Sequence, residues 1–264
     1  MRCAIAVAVA IVLAAGGARA TDRPAALRDV TFTQRLGEPV PLVVPFRDEA
    51  GRTVSLRDYT GKPILLVPAY YTCPMLCTLV LNGVVSALRA VPFDVGNELT
   101  VVTFSFDPRD DAAAAAGKKA TYLAEYRRPG AEAGWHFLTG DPTSIGALTD
   151  AIGFHATWDE ANRQYAHASG IVLLTPEGRI TRYFFGVEFA PRDLRLAIVE
   201  ASADRIGTLV DDLLLFCFHY DPATGRYSRL ALGAVRAGGV LTLVALVTAI
   251  AWWIRRERPG GAVA

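Results

Sequence analysis

The chain has 264 residues, of which 52% are hydrophobic and 20% charged, and its formal net charge is +1. That length supports one sizeable core plus membrane segments but is short for two full domains. Lys and Arg nearly balance Asp and Glu, so no basic face is advertised for nucleic acid and no acidic tail for cations, which argues against a nucleic-acid role.

In chain order, Met1-Arg2 precede an apolar run over 3–15, then Gly16-Gly17 and the small-residue triplet Ala18-Arg19-Ala20. This reads as a secretory signal peptide over 1–20, because the apolar run is shorter than the roughly 20 residues of a spanning helix. Residues 21–36 are polar and irregular and read as a linker, with a folded domain expected over 37–206. A first hairpin is expected from 41–46 and 53–56 around Asp48-Glu49-Ala50-Gly51, followed by a buried strand over 64–70. From 74 to 88 the pattern turns helical, with Leu76, Val80, Val84 and Leu88 spaced by four and Pro74 suited to the first turn. A second buried strand is expected over 99–106, an alanine-rich helix over 112–126, a short strand over 135–138 and a helix over 144–152. A hairpin of 171–175 and 180–185 around Pro176-Glu177-Gly178 and a helix over 191–210 complete the domain. Strand, helix, strand, helix implies a right-handed parallel unit, hence an α/β class.

Residues 207–236 read as a juxtamembrane segment and 237–254, uncharged and ending in Trp252-Trp253, as a C-terminal transmembrane helix. Arg255, Arg256 and Arg258 follow in a cytoplasmic tail, 255–264. Together with the signal peptide, this expectation places the domain on the periplasmic side of a bacterial-type inner membrane, held by a single C-terminal anchor.

That compartment permits disulfides. Three cysteines remain after the leader: Cys73 and Cys77 close together, and Cys217 near the membrane segment. In Cys73-Pro74-Met75-Leu76-Cys77 the second thiol follows the first by about one helical turn, at a strand-to-helix junction. The helix dipole and free amides there are expected to favour thiolate, the form that binds soft metals and attacks disulfides. A thiolate pair suits Cu(I), with an imidazole as a natural third ligand. The same pair could instead cycle through a disulfide, form a permanent structural bridge, or fill core space. Asp107 and Asp110 carry a competing role as caps of the following helix. Cys217 and His219 form either a packing segment or an auxiliary copper relay.

Four segments in this order resemble the Sco/SenC copper-chaperone family of thioredoxin-like proteins that assist assembly of cytochrome c oxidase. They are Cys73-Pro74-Met75-Leu76-Cys77, 105–111 with Asp107-Pro108-Arg109-Asp110, the 135–140 segment Trp135-His136-Phe137-Leu138-Thr139-Gly140, and His167 ahead of the strand at 171–175. The resemblance implies a thioredoxin-like fold, with a central mixed sheet flanked by helices. It also implies a copper site, Cu(I) or Cu(II), whose ligands are Cys73, Cys77 and His167, with Asp107 and Asp111 matching an acidic pair around the site. It further implies a partner in cytochrome c oxidase subunit II or a related respiratory oxidase, with other copper chaperones or thiol reductants upstream. As an alternative, Cys73 and Cys77 would act as a redox pair, an extracytoplasmic thiol-disulfide oxidoreductase that reduces the cysteines of subunit II. His136 and His155, in apolar surroundings, are read as structural. The chain departs from the family in its C-terminal rather than N-terminal anchor and in Thr78 after the second cysteine.

Overall fold

The computed structural model describes residues 30–73, 76–203, 220–221, 226–227 and 229–256. The expected leader, Pro74 and Met75, Cys217 and His219, and residues 257–264 lie outside the described residues.

Short pieces come first. β1 (Thr31–Phe32) already belongs to the packed body: Phe32 is buried and meets Phe154, Tyr183 and Phe185 edge-on. β2 (Phe46–Arg47) and β3 (Thr53–Val54) form the expected first hairpin. Its turn is held by the buried Asp48 carboxylate, which accepts from the Ala50 and Arg52 amides and from the Arg52 guanidinium. A 3-10 turn at Leu56–Tyr59 leads into β4 (Ile64–Ala69), every residue of which is buried. Such a strand reads as an unbroken apolar run because both of its faces are covered.

α1 (Leu76–Ala90) buries Val80, Leu81, Val84, Val85 and Leu88, the stripe that the four-residue spacing marks. β5 (Thr100–Ser105) is again wholly buried. α2 (Ala112–Tyr126) starts at Asp111, whose side chain accepts from the Ala114 amide. α3 (Ala131–Gly134) is a single turn before β6 (Trp135–Leu138), and α4 (Pro142–Ala151) is capped by Asp141. Three short strands follow: β7 (Phe154–His155), which pairs with β1, and the hairpin β8 (Thr157–Asp159) and β9 (Gln164–Ala166). β10 (Gly170–Leu174) and β11 (Ile180–Phe185) make the closing hairpin, and α5 (Pro191–Ser202) ends the domain. Beyond it lie β12 (Tyr220–Asp221), paired with β13 (Arg226–Tyr227), and α6 (Arg229–Arg256).

The central sheet runs β11-β10-β4-β5-β6. β4, β5 and β6 are parallel, linked by α1 and α2, while β10 and β11 are antiparallel additions at the other edge. α1 packs between α2 and α5, which also touch β6 and the β10–β11 hairpin respectively. This is the mixed α/β sandwich of a thioredoxin-like fold.

The expected C-terminal transmembrane helix is not supported. Residues 237–254 do lie in one helix, but among the described residues no helix is long and apolar enough to cross a membrane. Only 18 residues separate Arg236 from Arg255, about 27 Å of helix against a hydrocarbon core of about 30 Å. Gly238, Gly239, Thr242 and Thr248 further dilute that stretch, the two threonines bonding back to helix carbonyls.

Two positions decide how the outer layers sit on the sheet. Glu49, at the tip of the first hairpin, pairs with Lys119 of α2 and accepts from the Phe137 amide (3.0 Å), so the outward donor of edge strand β6 is used. Its burial alone would raise its pKa, but His136, Lys119 and that amide outweigh the cost and hold the carboxyl well below its ordinary range. Gly83, on α1, faces the segment after β11: an added Cβ would sit 1.9 Å from the Val187 carbonyl oxygen.

Gly83→Ala is expected to lower stability by about 1–3 kcal/mol through overpacking, although Ala in an open helix site would add about 1 kcal/mol; chemical denaturation reads the sign. Glu49→Gln is expected to cost about 1–3 kcal/mol at pH 7. A lowered carboxyl pKa contributes stability above its ordinary value of 4.5 and loses it as pH falls. The gap between variant and wild type therefore narrows below about pH 4.5, measured by denaturation across pH.

Candidate metal centre

Cys73 stands just past β4, after a turn in which its amide donates to the Tyr70 carbonyl (3.3 Å). Cys77 is the second residue of α1, with its amide aimed at the Cys73 sulfur (3.4 Å). Both thiols are buried and unbridged. His167 follows β9 and precedes β10 by three residues, and is half-buried.

The sheet explains the meeting of these distant residues. β10 pairs with β4 only over Ile64 to Leu66, so the two strands part before Pro68, a residue that has no N–H to donate. Because β10 runs antiparallel to β4, the loop that enters β10 lies at the end where β4 leaves for the cysteines. His167 Nε2 consequently sits 3.5 Å from the Cys77 sulfur, across 90 residues of sequence. The ligand atoms of Cys73, Cys77 and His167 all lie within 4.8 Å of one another. Metal–ligand bonds of about 2.0–2.3 Å place trigonal donors roughly 3.5–4 Å apart, so sub-ångström adjustments bring the three onto one ion.

The imidazole is already oriented. Its Nδ1 lies 2.8 Å from the Ala168 carbonyl oxygen, and since a carbonyl only accepts, Nδ1 carries the hydrogen and the Nε2 lone pair points toward Cys77. The ring is walled by Phe106, Phe154 and Tyr70, with centroids 5.1, 6.1 and 6.1 Å away.

The expectation that the helix end favours thiolate does not hold for Cys77. The neighbouring Cys73 sulfur, and then burial, push its thiol pKa well up, while the Tyr70 amide, 3.4 Å from the sulfur, only partly compensates. Two buried sulfurs so close cannot both carry charge without a cation between them.

The acidic residues divide their duties differently from the sequence reading. Asp111, not Asp110, caps α2. Asp110 turns inward, accepting from the Tyr71 amide (2.6 Å) and the Ser105 hydroxyl (2.6 Å), and so ties the cysteine loop to the end of β5. The buried Asp107 grips Arg109. His136 stacks on Tyr59, its ring centroid 4.3 Å away, and its Nε2 bonds to the Ala133 carbonyl; His155 is exposed beside Asp150. Neither joins the three-residue group.

The sequence reading missed β8–β9 and with it Trp158 and Tyr165. A signal was present: Asp159 accepts from the Ala161 amide (3.0 Å) and the Asn162 side chain (2.7 Å), and Arg163 adopts φ 51°. Asp, Asn and a left-handed residue between two short polar-aromatic runs mark a turn.

A thioredoxin-like fold with two cysteines at a strand-to-helix junction and a histidine from the loop that enters the opposing strand defines a class of thiol and metal-handling proteins. The SCO1/SenC family model matches residues 36–201, and the chain belongs to that family. The SCO1 protein homolog of Bacillus subtilis (strain 168) is 27% identical over 163 residues, 60% of this chain and 80% of that protein. A candidate copper-binding protein of Stutzerimonas stutzeri is 25% identical over 136 residues, 50% of this chain and 63% of that protein. The crystal structure of Arabidopsis thaliana ScoI with copper bound matches with a TM-score of 0.51 at 19% identity, over 64% of this chain and 99% of that one, a likeness of fold.

Burial is the largest influence on Asp110 and raises its carboxyl pKa, against the bonds from Ser105 and Tyr71. A raised carboxyl pKa gives stability that is complete below its ordinary value of 3.8 and lost as pH rises through the folded value. In metal-free protein, the stability difference between wild type and Asp110→Asn should therefore move in favour of wild type on acidification, opposite in sign to Glu49; denaturation from pH 7 to pH 4 checks it.

Proposed function

We propose that this chain binds copper through Cys73, Cys77 and His167 and serves, on the extracytoplasmic side, in assembling the copper centre of cytochrome c oxidase or a related respiratory oxidase. The observation that carries the reading is the Cys73, Cys77 and His167 group within 4.8 Å, in a member of the SCO1/SenC family. Two soft sulfurs and one imidazole suit Cu(I), and the copper-related description of the Stutzerimonas stutzeri relative agrees with that choice.

The residues supply binding and release in a definite way. Cys77 would shed its proton as copper arrives, so the ion would replace a proton that the Cys73 sulfur and burial keep on that thiol. His167 would contribute the Nε2 lone pair, with Nδ1 committed to the Ala168 carbonyl. It is also the most exposed of the three, so copper enters and leaves past the imidazole while the cysteines stay behind it. Oxidation of the same dithiol to a disulfide would release two electrons and two protons to a recipient disulfide, which is the competing chemistry.

Reduced protein loaded anaerobically with Cu(I) and challenged with a competing chelator is expected to retain about one copper per chain. Cys73→Ser and Cys77→Ser should each weaken retention by orders of magnitude, and His167→Ala by less but measurably, all with native circular dichroism. Wild-type retention in all three variants would sink the proposed site. A wild-type protein that holds no copper yet carries a readily reduced Cys73–Cys77 bridge transfers the reading to the reductase.

A further inference from the structure

The third donor of the proposed site hangs on a weakly tethered element. β8–β9 forms its own two-stranded sheet, and among the described residues no backbone hydrogen bond joins residues 157–167 to the five-stranded sheet. Side chains hold it instead: besides His167 itself, walled by Phe106, Phe154 and Tyr70, two attachments stand out. One is Tyr165, whose ring meets Tyr70 and Phe106, each at 5.5 Å. The other is Arg109, from the loop after β5, whose guanidinium carbon stands 4.3 Å over the Trp158 ring and 5.7 Å from that of Tyr165.

Arg109 is not a wandering surface cation. Asp107, only 1% exposed, takes Nε at 2.8 Å and Nη2 at 2.7 Å in a forked pair, and the Arg109 amide at 3.0 Å. Asp107 in turn is fixed through its own amide to the Ser105 hydroxyl, the group that also bonds Asp110. A guanidinium already held by a forked ion pair can stand over an indole with little entropy left to lose. Trp158 and Tyr165 are cross-strand partners, packed edge-to-face at 5.1 Å, so a force on one ring is felt by the other. His167 is two residues beyond Tyr165.

We infer that Arg109, clamped by Asp107 and stacked on Trp158, is a positioning latch that holds the β8–β9 hairpin down and thereby keeps His167 opposite Cys77. Arg109 and Trp158 touch neither copper nor a sulfur in this role; their effect passes through the imidazole. Both also line an open cleft of about 410 Å³ beside Tyr70 and Thr72. The inference rests on the copper reading, but its structural half does not need the metal.

The test is a double-mutant cycle on Cu(I) affinity together with hydrogen exchange on the metal-free chain. Trp158→Ala and Arg109→Gln should each weaken Cu(I) binding by about 2- to 30-fold, the range of one cation–π contact, and the pair together by little more than either alone. Trp158→Phe, which keeps a π face, should restore most of the loss. In a His167→Ala background Trp158→Ala should change affinity no further, because the effect has no imidazole to act through. In metal-free protein, Trp158→Ala should speed amide exchange over residues 157–167 and leave β4 and β5 as protected as in wild type. An undiminished affinity in folded Trp158→Ala, or an equal loss with and without His167, overturns the latch. If wild type holds no copper, the copper reading fails and the exchange experiment alone decides whether the latch exists.

Discussion

Antiparallel pairing of β10 against β4 is the arrangement on which the candidate site depends. β4 delivers the chain to Cys73, and β10 receives it from His167, so only opposite strand directions bring the exit of one beside the entrance of the other. Had β10 run parallel, the histidine loop would open at the far end of the sheet, about five strand residues or some 17 Å away. The early end of that pairing at Leu66 matters equally, because a ladder continued to Ala69 would fill with backbone the gap in which the imidazole meets the sulfur.

Elsewhere the protein places polar side chains on loops rather than on regular structure. Asp48, Glu49, Asp107 and Asp110 are buried or nearly so, and each has several donors: amides, hydroxyls, guanidinium or ammonium groups. Burying a carboxylate is costly unless it is paired and hydrogen-bonded, and these four meet the condition by fastening an irregular segment to its neighbour. The cysteine loop, the segment after β5 and the first hairpin are therefore held at defined positions without lengthening the sheet. The β8–β9 hairpin differs in relying on rings and one clamped arginine, which makes the histidine side of the site the softer side.

Much of the fold was legible in the sequence because it is written in local patterns. Fully buried β4 and β5 appear as continuous apolar runs, α1 as a four-residue stripe, and the β10–β11 hairpin as two apolar strands around Pro176-Glu177-Gly178. The segments that escaped notice are short and lack a period: β1, α3, β7, and β8–β9 with their two to four residues each. The C-terminal apolar run misled for a different reason. Lack of charge over 18 residues resembles a membrane span, but length and apolar content set the physical threshold, and the helix falls below it.

For the site, residue types and spacing singled out Cys73 and Cys77, since thiols one turn apart carry chemistry wherever they stand, while His167 came from its loop placement together with the resemblance of its segment to the Sco/SenC family. Their convergence was not deducible from spacing, because a separation of 90 residues is closed by strand order and direction alone. The same holds for electrostatics. Sequence placed Cys77 at a helix end that favours thiolate, whereas burial beside a second sulfur decided the opposite. Asp110 looked like a cap, yet the path of the loop made Asp111 the cap and turned Asp110 inward to Tyr71 and Ser105. Local sequence determines which groups are present and which helices and strands form around them, because those depend on near neighbours; burial, partner identity and the meeting of distant loops depend on how the sheet is assembled, and only the tertiary structure decides them.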